Sequence, residues 1–131
     1  MGASTQRTRR AAVASGHEAV TRAAVEILRA GGNAFDAVLA AGFVGPIAEP
    51  ALTSLGGGGF LLAHTSSGQS TLLDFFCDTP GRGASDEGEL DFRPLRVPFG
   101  DATQVFHIGA GACAVPGVLA GYLETHRQFG R

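Results

Sequence analysis

Val20, Ala24, Ile27 and Leu28 fall at i, i+4, i+7 and i+8, the spacing that lines one stripe of a helix. Ser15, with Glu18 three residues on, has the capping-box spacing that would start this helix. Gly31-Gly32 ends it, because glycine accepts the left-handed conformation of a helix C-terminus. Asn33 restarts at once as an N-cap, and Asp36 complements the positive end of the dipole. Phe35, Val38, Leu39, Gly42 and Phe43 then predict one face of a second helix, which Gly45-Pro46 breaks. The Ala and Gly content of this helix predicts close packing, against a sheet.

Beyond Pro50 the pattern shortens. Phe60-Leu61-Leu62-Ala63 and Thr71-Leu72-Leu73, separated by the turn-like Ser66-Ser67-Gly68-Gln69-Ser70, predict an antiparallel hairpin. Residues 79–101 hold three Pro and four Gly and read as a long surface loop. Residues 104–108 read as a strand and 110–115 as a strand of small residues. Pro116, placed where a first helical turn tolerates a missing N–H, opens a last helix. Leu119, Tyr122, Leu123 and His126 form its face, and Gly130 stops it. The elements amount to an α+β fold.

Composition narrows the functions. A chain of 131 residues is the size of one domain. Its 44% hydrophobic and 17% charged residues exclude an intrinsically disordered sequence, which could not bury enough apolar surface to offset its ordering entropy. Lys+Arg of 10 against Asp+Glu of 12, a net charge of -2, leaves no electrostatic footprint for nucleic acid or an anionic membrane. The 20 glycines show no three-residue period and point to close backbone approach. Cys77 and Cys113 are too few and too far apart for a zinc site and read as a reduced pair.

Residues 1–10 form a basic tail. The apolar run behind it, Ala11 to Ala14, is too short for an export signal, and residues 37–48 fall short of the ~20 needed to span a bilayer. The expectation is a cytoplasmic protein.

The four consecutive glycines, Gly56 to Gly59, invite comparison with a phosphate cradle. A phosphate loop, however, opens a helix or carries Lys-Ser/Thr, whereas here Phe60-Leu61-Leu62 continues as a strand. These glycines read as the entry of a strand into a crowded sheet. His17, His64, His107 and His126 show no metal-ligand spacing, and His17-Glu18 reads as a helix start. Neither a G-x-S-x-G elbow nor a Ser-x-x-Lys occurs. No complete catalytic apparatus can be assembled from these residues, and neither cofactor nor metal is expected.

Three strings are more specific. Ala12-Val13-Ala14-Ser15, then Glu26-Ile27-Leu28-Arg29-Ala30-Gly31-Gly32-Asn33-Ala34-Phe35-Asp36-Ala37, then Leu55-Gly56-Gly57-Gly58-Gly59-Phe60-Leu61-Leu62 resemble the opening of the gamma-glutamyltranspeptidase family. Ala114-Val115-Pro116-Gly117-Val118-Leu119-Ala120-Gly121, followed by His126 and Phe129-Gly130-Arg131, resembles that family's next block. The resemblance covers residues 11–131, read as an incomplete domain of this family. It implies the N-terminal part of an αββα sandwich of the N-terminal-nucleophile hydrolase type, in which a precursor cuts itself and the new N-terminal Thr attacks a gamma-glutamyl amide such as glutathione. That Thr lies in a Thr-Thr-His string in relatives. No such string occurs here, so the resemblance places the nucleophile downstream of Arg131 and implies that the chain is inactive alone. The implied partners are the remainder of the large subunit, the small subunit of the same precursor, and a small-molecule substrate.

One departure bears on specificity. Where such enzymes read Asp-Gly-Arg-Glu-Thr-Ala-Pro, this chain reads Asp74-Phe75-Phe76-Cys77-Asp78-Thr79-Pro80. The family's Arg binds the substrate carboxylate by a bidentate charge-assisted contact, and Phe76 stands at its position. Arg82 is the candidate substitute. Phe75 and Phe76 equally fit a site for an apolar acyl group, or core packing. Gamma-glutamyl transfer or hydrolysis is the leading expectation. The alternatives are an amide hydrolase of the same fold with a different acyl substrate, and a non-catalytic remnant or binding subunit.

Overall fold

A computed structural model describes residues 11–81, 83 and 88–131; the expected basic tail, residues 1–10, lies outside them. The first helix, α1 (Glu18–Arg29), starts later than the Ser15 spacing predicts, because the His17 ring caps it: Nδ1 accepts the Ala19 amide at 3.1 Å. The Ser15 hydroxyl instead donates to the His17 carbonyl at 2.9 Å. At the other end Gly31 takes φ +97°. Its amide donates to Leu28 O and that of Gly32 to Ile27 O, the paired bonds of a Schellman stop.

Helix α2 (Ala34–Ala48) begins with a complete capping box. Asn33 Oδ1 accepts the amides of Phe35 and Asp36, and Asp36 Oδ2 accepts the Asn33 amide at 2.8 Å. The expected break at Gly45-Pro46 does not occur. Pro46 sits inside the helix, in its last turn, where losing one amide donor is tolerated, and Glu49 N still bonds Gly45 O at 2.7 Å. The buried residues of α2 are Ala37, Leu39 and Gly45. Val38 and Phe43, placed by spacing on the inner face, are 46% and 40% exposed. This helix is apolar nearly all round, so periodicity could not single out a face. It packs on α1, whose Val20 and Ala24 are buried.

By compactness the chain divides into two units. One runs up to Leu55 and takes in Tyr122–Arg131; the other is Gly56–Gly121. Helix α3 (Val118–Phe129) contributes to both. In the first unit Phe35 stacks on Phe129 at 4.8 Å and Phe43 meets Tyr122 edge-on at 5.2 Å. Asn33 Nδ2 donates to the Phe129 carbonyl at 2.6 Å, while the Arg131 amide donates to Asp36 Oδ1 at 3.1 Å. The start of α2 thus caps the end of α3.

The second unit holds two hairpins. β1 (Phe60–His64) pairs antiparallel with β2 (Ser70–Asp74), Leu62 opposite Leu72, as predicted. β3 (Arg93–Phe99) pairs with β4 (Ala102–Ile108). Residues 93–99 were expected to be loop; their prolines are compatible with a strand at a sheet edge. The small-residue strand expected at 110–115 is instead a 3-10 turn, Ala110–Ala112, and only Val115 makes a bridge, with Asp78. Helix α3 starts at Val118, two residues after Pro116. Its buried residues are Val118, Gly121 and Thr125, whereas Leu119 and Leu123 of the predicted face are exposed.

Burial alone would raise the Asp36 pKa. The amides of Asn33 and Arg131, with His126 Nε2 at 3.8 Å, outweigh that and hold it below the ordinary value. A depressed carboxyl contributes stability above its unfolded pKa and loses it as pH falls through the folded value. Asp36→Asn is therefore expected to cost about 1 kcal/mol at pH 7. The gap to the wild type should shrink below about pH 4, as measured by thermal unfolding followed by circular dichroism at pH 7 and pH 3.

Candidate functional site

The β1–β2 ladder extends one pair beyond the strands. Gly59 N donates to Phe75 O at 3.3 Å and Phe75 N to Gly59 O at 3.1 Å. The next amide, of Phe76, leaves the ladder and donates to Asp74 Oδ1 at 3.0 Å. Two residues on, Asp78 and Val115 exchange backbone bonds of 3.0 and 2.8 Å.

The residues 75–78 therefore have backbone on both sides. A Cβ on Gly58 would run into the Cys77 amide and Phe76 Cα, and one on Gly117 into the Phe75 carbonyl. A Cβ on Gly121 would enter the Phe75 ring. The Gly57 carbonyl accepts both Gly117 N at 3.0 Å and Val118 N at 3.2 Å, satisfying donors that the first turn of α3 leaves free. A carbonyl at that helix start is the opposite of an anion cradle, so the glycine run serves close approach. Gly57, Gly117 and Gly121 were not singled out as site residues. The i, i+4 spacing of Gly117 and Gly121 is the signal that could have marked a small-residue edge of α3.

This frame projects Phe76 outward. Its ring, 61% exposed, stacks on Phe60 with centroids 5.6 Å apart and planes at 13°. Leu62 and Leu72, paired on the same strands, are also exposed, whereas Ala63 and Leu73 on the other face are buried. Phe76 thus joins an apolar surface and has no group able to pair with a carboxylate. Arg82, the candidate substitute, lies outside the described residues. Cys77 is half-buried, Cys113 is exposed, and both are free.

The histidines have other partners. His17 caps α1, His107 stacks on Phe92 at 4.2 Å, and His126 lies near Asp36. His64 Nδ1 is 2.9 Å from the Ser70 hydroxyl across the β1–β2 hairpin, an exposed pair with no carboxylate in ion-pair range of the ring among the described residues. Among those residues no three His, Cys, Asp or Glu side chains converge on a metal position, and no helix is long and apolar enough to cross a membrane.

Comparison with known proteins places these features in a family. A family model described as gamma-glutamyltranspeptidase matches residues 20–131. The glutathione hydrolase proenzyme of Escherichia coli is 32% identical over 124 residues, 95% of this chain and 20% of that protein. The acylase ACY 1 proenzyme of Pseudomonas sp. strain V22 is 32% identical over 121 residues, 92% of this chain and 22% of that protein. The gamma-glutamyltranspeptidase of Helicobacter pylori superposes with a TM-score of 0.72 at 28% identity, over 96% of this chain and 34% of that one. The chain spans about a fifth of the length of these curated relatives.

Gly117→Ala is expected to destabilise the protein by about 1–3 kcal/mol, the usual cost of overpacking. Ala120→Ser, on the exposed side of α3, should stay within about 0.5 kcal/mol. Urea unfolding followed by circular dichroism measures both.

Proposed function

The chain belongs to the gamma-glutamyltranspeptidase family, and from that premise we propose that it forms part of an autoprocessed amide-cleaving enzyme whose default reaction is gamma-glutamyl transfer or hydrolysis, with glutathione as donor. The observation that carries this reading is the extent of the match, which runs from Val20 in α1 through the glycine run to Arg131. Fold also supports it: the elements are those of the N-terminal part of an N-terminal-nucleophile αββα sandwich. In the proposed chemistry a Thr hydroxyl attacks the amide carbonyl and passes its proton to the α-amino group of the same residue. Backbone amides hold the oxyanion. The amine leaves with the proton, and water or an amino acid takes the acyl group. Residues 1–131 contain no Thr-Thr-His processing string, so on this reading they act as scaffold, with the rest of the large subunit and the small subunit as partners.

A second reading concerns the acyl group. Phe76 stacked on Phe60 presents an aromatic platform where such enzymes hold a carboxylate with Arg, and an acylase proenzyme matches the chain as well as the glutathione hydrolases do. The platform favours an uncharged acyl group in place of gamma-glutamyl, and the acylase match supports an acyl substrate other than gamma-glutamyl.

One experiment distinguishes these readings. The complete translation product carrying these residues is assayed against a gamma-glutamyl anilide and against an aliphatic or aromatic acyl anilide. Gamma-glutamyl turnover that falls on Arg82→Ala supports the first reading with Arg82 as carboxylate ligand, and unchanged KM removes Arg82 from that role. If the acyl anilide is preferred, Phe76→Arg is expected to shift the ratio of kcat/KM values toward the gamma-glutamyl substrate by about tenfold or more, the weight of one charge-assisted pair. Turnover of neither substrate would leave the binding-subunit alternative standing.

A further inference from the structure

Asp74 closes β2 directly opposite Phe60 and lies on the exposed face of the hairpin with Phe60, Leu62 and Leu72. Gly59 and Phe75 exchange both of their backbone bonds, so residues 74 and 76, one step to either side of Phe75, turn their amides away from β1. On that outer edge Asp78 exchanges both bonds with Val115. One more bonded pair in the same antiparallel register would set Gly117 against Phe76, but the pairing stops. Gly117 N donates to Gly57 O at 3.0 Å, and Gly117 O accepts Gly121 N at 2.9 Å in the first turn of α3. The Phe76 amide is thus left beyond the last strand pair on its edge, and the acceptor it finds is Asp74 Oδ1 at 3.0 Å.

That bond does more than satisfy a donor. A carboxylate that accepts the amide two residues on closes a small ring through the backbone between them, and the backbone at Phe76 sets the direction in which its side chain leaves. The Phe76 ring lands on Phe60, with the two planes 13° apart. Asp74 therefore meets both rings of the platform, Phe60 by cross-strand register and Phe76 by hydrogen bond. Among the described residues its carboxylate takes part in no ion pair, so the Phe76 amide is the group it serves.

We propose that Asp74 is a positioning residue for substrate selection: by holding the Phe76 amide it keeps the Phe76 ring over Phe60, and the pair of rings then selects a flat, aromatic acyl group. This role rests on the reading that the Phe60–Phe76 platform meets the acyl group of the substrate. Asp74 acts through Phe76 and touches no reacting atom. Phe60 and Phe76 are 59% and 61% exposed, so ring surface is available, and an aromatic acyl group gains offset stacking there in addition to the burial that any apolar chain gains. Stacking depends on ring orientation more than aliphatic contact does, which is why a residue that fixes the orientation bears on the choice of substrate.

Steady-state kinetics of the complete translation product with phenylacetyl p-nitroanilide, and hydrogen exchange of the Phe76 amide in the same samples, test the proposal. Asp74→Ala is expected to raise KM about fivefold or more with kcat within about twofold, and to speed exchange of the Phe76 amide about tenfold, the weight of one hydrogen bond to a charged group. Asp74→Asn keeps an oxygen acceptor in place and is expected to restore both. In a Phe76→Ala background Asp74→Ala should raise KM no further, because the two residues act as one unit. If Asp74→Ala loses its circular-dichroism spectrum, Asp74→Glu replaces it: the charge stays, the acceptor moves one methylene away, and the same changes are expected. A KM that rises with Phe76→Ala but not with the Asp74 variant, or effects that add in the double variant, would overturn the positioning role and leave the platform reading standing. A KM unmoved by Phe76→Ala, or a wild type that does not turn over this anilide, would remove the platform reading and the role of Asp74 with it.

Discussion

Residues 75–78 run between two other stretches of backbone, and that crowding sets the geometry around them. At Gly58 and Gly117 a side-chain carbon would occupy the place of main-chain atoms of Phe75, Phe76 or Cys77, and at Gly121 it would occupy the Phe75 ring. Because main-chain atoms cannot swing aside as a side chain can, Gly58 and Gly117 are required for space. The consequence reaches the candidate site directly. With Phe75 pinned inward against α3 and the amide of Phe76 tied to Asp74, the Phe76 ring is left to face outward onto Phe60.

Half of this arrangement was legible in the sequence. Four consecutive glycines leading into Phe60-Leu61-Leu62 announce a strand entering a tight space, and the hairpin that follows was predicted at its observed place. The other half was not, because Gly57 and Gly117 are far apart in the chain and their hydrogen bond depends on how the chain returns. The same limit shows in the helical unit. Asn33 and Asp36 were readable as caps of α2, since capping is local. That Asn33 also bonds the Phe129 carbonyl, and Asp36 the Arg131 amide, follows only from the tertiary placement of α3. Asn33 has both an acceptor and donors, and its two functions use different ends of one amide.

Three elements depart from their sequence pattern for one reason. Pro94 and Pro98 suggested loop because proline breaks a central strand, but at an edge with its nitrogen turned outward it breaks nothing. Pro46 suggested a helix break, yet near the C-terminus of α2 it removes a single bond. In α3 the larger residues Leu119 and Leu123 suggested the inner face, but Val118, Gly121 and Thr125 lie inward. Size was a poor guide where the fold demands closeness. In each case the residue type was interpreted without its position relative to the element's edge or partner, and position decided the outcome.

The β1–β2 hairpin carries the synthesis one step further. Its buried face holds Ala63 and Leu73, but its other face holds Phe60, Leu62 and Leu72, with Phe76 beside them. A ribbon that faces water on one side alternates apolar with polar; a ribbon apolar on both sides has the composition of an interior layer. That agrees with the layered sandwich to which this chain is similar, and it bears on chemistry. An aromatic platform within an apolar layer leaves little high-dielectric surroundings for a free carboxylate, whose burial without a cation costs several kcal/mol. On the proposed reading, an uncharged acyl chain would incur no such penalty and would gain from contact with both rings. On the proposed reading that Phe76 stands at the position of a carboxylate-binding guanidinium, the exchange would remove an attraction for gamma-glutamyl and add one for an apolar group, so the two effects would reinforce each other in the selection of substrate.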